Sequence, residues 1–140
     1  MLGGAGTSAH RLHAPRYSMV AYPFSTEYQN SNQWVLEVLA AALAADAQPA
    51  VTITDRADAQ RWLRAARYHP TKLHLDLSQR IGARIAVANV AVTDHPASER
   101  ISGNYSVVTV ESVFDFLHQR DAIAQELSIP PALTPTGALP

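Results

Sequence analysis

The stretch from Trp34 to Ala45, WVLEVLAAALAA, sets the tightest limit on what this chain can become. Its composition predicts a helix from about Ser31 to Ala45, carrying Trp34, Val35, Leu36, Val38, Leu39 and Leu43 among alanines, with Glu37 as its only charge before Asp46. A helix that is apolar all round has no solvent face and is normally covered on most sides. The expectation is a central buried helix, with the rest of the chain wrapped around it. At 140 residues, 47% hydrophobic and 16% charged, the chain has material for one globular domain with one modest core.

Shorter signals supply the covering layers. YSMVAYPF, ending at Pro23, mixes aromatic and β-branched residues and predicts a short strand. In DRADAQRWLRAARY, Ala59, Trp62, Leu63 and Ala66 fall on one helical face behind a cap at Thr54 or Asp55, and the helix should end near Tyr68, before Pro70. Leu77, Ile81 and Ile85 recur four apart, predicting a helix that Gly82 weakens and that gives way to strand beyond Ile85. NYSVVTV reads as a strand, and TVESVFDFLHQ as a helix with Val113, Phe114 and Leu117 on one face. The fold class is therefore α+β: a central buried helix, two or three further helices and a few short strands. Residues 1–15 lack periodicity and read as loop-like or disordered, 16–127 as the domain, and 128–140, with four prolines in thirteen residues, as an extended tail.

Composition also excludes functions. Eleven basic against twelve acidic residues give a charge of −1, so no large positive field exists to gather nucleic acid or anionic lipid. The absence of cysteine removes disulfides, thiolate-ligated zinc and a thiol nucleophile. No run of eighteen apolar residues predicts membrane insertion, and no secretory signal opens the chain. His10 and His13 lie three apart in a Gly-rich stretch that gives no metal site, and the two tryptophans, Trp34 and Trp62, are accounted for as core without a cofactor. Arg61, Arg64 and Arg67 line one side of the second helix and read first as its solvated face, although a phosphate or carboxylate would also suit them.

The candidate site lies where the apolar helix begins, in YQNSNQW, Tyr28 to Trp34. Asn30, Ser31 and Asn32 are favoured cap residues, whose side-chain oxygens accept the first unpaired amides of a helix. The same place has a chemical use: the amino end of a buried helix gathers partial positive charge and free N–H donors, where a nucleophile can be activated and an oxyanion held. On that reading Ser31 is the nucleophile, and Tyr28, Asn30, Asn32 and Trp34 surround the substrate. A base is harder to find. His95 follows Asp94 in VTDHPASER, a pairing used in triads, but neighbours in an extended segment point apart, and TDHP also reads as a turn held by Asp94 and Pro96.

Long phrases carry a resemblance. RYSMVAYPFSTEYQNSNQWVLEVLAAAL, AQRWLRAARYHPTKL, RIGARIAVANVAVTDHP and YSVVTVESVFDFL resemble successive blocks, over about Arg16 to Leu117, of a bacterial family known as domain of unknown function 2145. The resemblance implies members about twice this length, exported to the periplasm, with an earlier histidine-bearing strand, so that this chain looks like the carboxyl-terminal portion. More remotely, the NSNQW phrase is similar to the nucleophile step of permuted papain-like and NlpC-like hydrolases, with serine at position 31 in place of cysteine. Two functions follow: a hydrolase or amidase of that type, here an incomplete papain-like domain, or a non-catalytic module whose polar entrance binds a peptide, a glycan or the missing amino-terminal half. The second is favoured for this chain. An uncovered apolar helix also predicts an exposed apolar patch and self-association through it.

Overall fold

The computed structural model describes residues 9–76 and 89–122. Within them the fold is α+β, in the order α1 (Ser31–Asp46), α2 (Arg56–Ala65), β1 (Thr71–His74), α3 (Ala97–Ser102), β2 (Asn104–Val107) and α4 (Val110–His118). The Leu77–Ile85 helix, the Pro-rich tail and residues 1–8 lie outside the described residues.

Each helix starts where its local chemistry says it should. Asn30 caps α1 by accepting the Gln33 amide at 2.7 Å, and Asp55 caps α2 by accepting that of Asp58 at 2.9 Å. Thr109 and Ser112 form a reciprocal capping box on α4. The α2 helix stops at Ala65, short of Tyr68, because Arg67 turns left-handed at φ 60°. The Arg67 amide then bonds Arg64 O and the Tyr68 amide bonds Leu63 O, the Schellman pattern, and Tyr68 folds back into the core. Gly103, left-handed at φ 75°, closes α3 with its amide on Glu99 O and hands the chain to β2.

The core is built from Leu36, Ala40 and Ala44 of α1, Ala59 and Leu63 of α2, and Val113 and Phe116 of α4, joined by Leu12, Ile53, Tyr68 and Val108. Trp62 and Tyr68 meet the Phe116 ring edge-on at 6.3 and 5.6 Å. A two-stranded antiparallel sheet pairs Thr71 with Val107 and His74 with Asn104.

Four sequence expectations are corrected. Trp34 is not core: it is 36% exposed, beside Val35 at 43%, and is a surface residue. YSMVAYPF is not a strand; its segment makes only a Tyr17–Gln29 bridge and then turns, because the Ser18 hydroxyl is tied to both the amide and the carbonyl of Ala91. Leu12, in the stretch expected to be loose, is 1% exposed and belongs to the core. On α4, Phe116 rather than Phe114 points inward, leaving Phe114 42% exposed. The strand β1 was not anticipated at all.

Candidate functional site at the start of α1

The approach to α1 is fixed from beneath by an unusual arrangement. Glu37, the one charge of α1 before Asp46, is its most deeply buried polar residue, at 0% exposure. Its Oε2 accepts from Gln29 Nε2 at 2.7 Å and Arg56 Nε at 2.8 Å, and its Oε1 from Gln60 Nε2 at 2.9 Å and Arg56 Nη2 at 3.2 Å. Burial raises the Glu37 carboxyl above its ordinary range, against the pull of Arg56, Gln60 and Gln29. The Arg56 guanidinium spends its other donors on the carbonyls of Ser25, Thr26 and Tyr28. The loop that delivers Asn30 to the helix is thereby pinned to the α1–α2 interface.

Above that loop, the start of α1 opens on a recess of about 350 Å³. Asn30, Ser31 and Asn32 form one wall; Met19, Val20, Leu73, Val107 and Val108 make the rest mainly apolar. The sheet supplies Thr71, Leu73 and Val107, which lie on one face by their register. Asn30 holds the walls together: beyond capping the helix, its Nδ2 donates to Met19 O at 3.2 Å and Val108 O at 3.3 Å. Asn32 Nδ2 also donates to Val108 O, at 3.4 Å. Ser31, the first residue of α1, is exposed at the rim.

The other candidate residues lie elsewhere. Tyr28 and Trp34 do not line the recess. The Tyr28 hydroxyl accepts from Arg16, whose guanidinium lies 4.8 Å over its ring, and Trp34 Nε1 donates to Ala9 O. His95 is 3% exposed and spends both ring nitrogens, Nε2 on Val20 O at 2.6 Å and Nδ1 on Glu99 Oε2 at 2.9 Å. It holds up a wall of the recess without reaching the space inside. Burial would raise the Glu99 carboxyl, yet hydrogen bonds from His95, Lys72 and Ser106 outweigh it and hold the pKa at about 2. Asp94 Oδ2 accepts the Tyr22 amide at 2.8 Å, and its Oδ1 stands 3.9 Å from His95 Nε2, beyond hydrogen-bond reach. Desolvation first of all raises the Asp94 carboxyl. Adjacent in sequence, Asp94 and His95 are thus two separate buttresses, each fastening a backbone group of the segment 20–22.

The apolar walls contributed by Met19, Leu73 and Val107 were missed by sequence reasoning, since they come from three distant segments; Leu73 alone gave a hint, as the apolar residue within TKLH. Among the described residues no cluster of histidine and carboxylate side chains could hold a metal ion, and no helix is long and apolar enough to cross a membrane.

Compared with known sequence families, residues 4–117 match the family described as an uncharacterized protein conserved in bacteria, DUF2145. The match takes in residues before Arg16, in agreement with the buried position of Leu12. No curated protein and no solved structure matches the chain.

Proposed function

The chain belongs to this uncharacterised bacterial family, DUF2145, and from that premise we propose that it is a non-catalytic binding module of the cell envelope, whose recess at the start of α1 takes an apolar side chain of a peptide or partner domain. The observation that carries the reading is the recess itself: apolar walls from Met19, Leu73 and Val108 beside a rim of Asn30, Ser31 and Asn32. Apolar walls with a few convergent polar groups suit a side chain flanked by peptide amides better than a glycan. The envelope location rests on the family resemblance.

A second reading, a serine hydrolase, draws support from Ser31, exposed at the positively polarised end of α1. It needs a base other than His95, which is committed to Val20 and Glu99. The two readings separate in one pair of measurements. Methyl NMR signals of Met19, Leu73 and Val108 should shift on titration with short apolar peptides, and those of Met19 and Val108 should stay still in Leu73→Asp; unmoved methyls in the unaltered protein would sink the binding module. A fluorophosphonate probe should leave the chain unlabelled, and labelling abolished by Ser31→Ala would establish the hydrolase instead.

A further inference from the structure

A second concavity, of about 580 Å³, lies between the Tyr22–Thr26 loop and the exposed side of α2, and it is lined by Tyr22, Phe24, Thr26, Gln60, Arg64 and Asp94 among others. We infer that it is a carboxylate-binding site centred on Arg64, independent of the recess at α1. The Arg64 guanidinium carbon lies over the Phe24 ring, 3.9 Å from its centre, and no carboxylate among the described residues pairs with it. Arg61, one turn earlier on the same wall, is held by Asp58 at 3.2 Å.

The platform beneath Arg64 is rigid. Phe24 meets Tyr22 and Tyr68 edge-on at 5.8 and 6.5 Å, and Gln60 is anchored to Glu37 and to Ser25 O. A stacked guanidinium loses little freedom on binding and presents a planar fork of donors, the geometry that takes both oxygens of a carboxylate. Asp94 chooses between oxyanions. A negative charge on its carboxyl, buried behind the same lining, disfavours a phosphate dianion more than a carboxylate monoanion. The aromatic pair Tyr22 and Phe24 offers the apolar body of the ligand a surface.

Titration of the full chain with N-acetyl-L-alanine, followed by backbone amide NMR, tests this. The amides of Thr26, Gln60 and Arg64 should shift and saturate in the millimolar range, with no shift for the uncharged methylamide and weaker binding of inorganic phosphate. Arg64→Lys should weaken the carboxylate by about tenfold, since an ammonium offers no planar fork. Arg11→Gln, which removes a whole charge at an exposed residue outside the site, should leave it unchanged. Shifts that do not saturate, equal shifts with the methylamide, tighter binding of phosphate, or an equal loss in Arg11→Gln would each overturn the assignment.

Discussion

Arg56→Met is the sharpest test of how the start of α1 is held. The guanidinium of Arg56 faces a carboxylate at 0% side-chain exposure and three loop carbonyls, those of Ser25, Thr26 and Tyr28. Deleting one partner of a buried ion pair costs ~3–5 kcal/mol, because the survivor keeps its desolvation penalty. We therefore expect a loss of about 4 kcal/mol, from a total stability on the order of 5–15 kcal/mol. At a urea slope of about 2 kcal/mol per molar, the unfolding midpoint should fall by about 2 M at neutral pH. The pH dependence makes the test specific. Burial already raises the Glu37 carboxyl above its reference value of 4.5, and loss of Arg56 raises it further. A carboxyl raised in the folded state gives stability that is fully present below the unfolded pKa and lost as pH rises through the folded one. The deficit of the variant should thus be largest at neutral pH and shrink toward pH 4.5. Paired urea titrations at several pH values measure it, and a deficit under about 1 kcal/mol at neutral pH, or one that does not change with pH, would refute the reasoning.

Three further outcomes are expected. Glu99 has the opposite sign: its pKa of about 2 lies below the reference 4.5, so its stabilisation is present above the unfolded pKa and fades as pH falls toward 2. Glu99→Gln should cost ~1–3 kcal/mol in urea unfolding at neutral pH, and the difference from the unaltered chain should close between those two values. Asn30→Ala should lose ~1–2 kcal/mol, since it removes the cap and the ties to Met19 and Val108, whereas Ser31→Ala should change thermal stability by less than ~0.5 kcal/mol. The exposed side chains around the recess, Tyr17 at 48%, Met19 at 55% and Leu73 at 38%, should drive self-association at high concentration; a monomer by light scattering, with no binding of a hydrophobic dye, would contradict that.

What the sequence made legible was local. The start of α1, the cap of α2, the strand at Asn104 and the start of α4 each carry a signal within a few residues, and the Asn30–Ser31–Asn32 rim was visible for the same reason. What stayed hidden was non-local. The strand β1 exists because Thr71 and Leu73 pair with Val107 and Tyr105, more than thirty positions away, and four residues with three polar side chains announce nothing alone. The YSMVAYPF segment shows the converse: strand-forming residues whose backbone amides are claimed by Gln29 and Asn89, and whose Ser18 hydroxyl is claimed by Ala91. The recess walls combine both difficulties, and the triad reading of Asp94 and His95 depended on side-chain directions that adjacency cannot supply.

The burial of Glu37 is the deeper lesson about α1. With alanine and leucine on every side, the apolar pattern scarcely distinguishes one face of this helix from another, so hydrophobic burial alone cannot fix its rotation. The polar residues can. Gln29, Gln33 and Glu37 are spaced four apart, as are Arg56 and Gln60 on the facing helix, and these two polar rows meet in the interior. Such a cluster contributes little net stability, since desolvation offsets its hydrogen bonds, but it admits one register. Replacing it wholesale, with Glu37→Leu, Arg56→Met and Gln60→Leu together, should therefore leave the urea midpoint within about 1 M of the original or raise it. The same variant should lose peptide-induced shifts at Met19 and Leu73, because Ser25, Thr26 and Tyr28 are no longer pinned and Asn30 no longer arrives in place. A triple variant that keeps those shifts would show that the recess is set by its own walls, and a strongly destabilised one would show that the polar rows contribute to stability and not only to register.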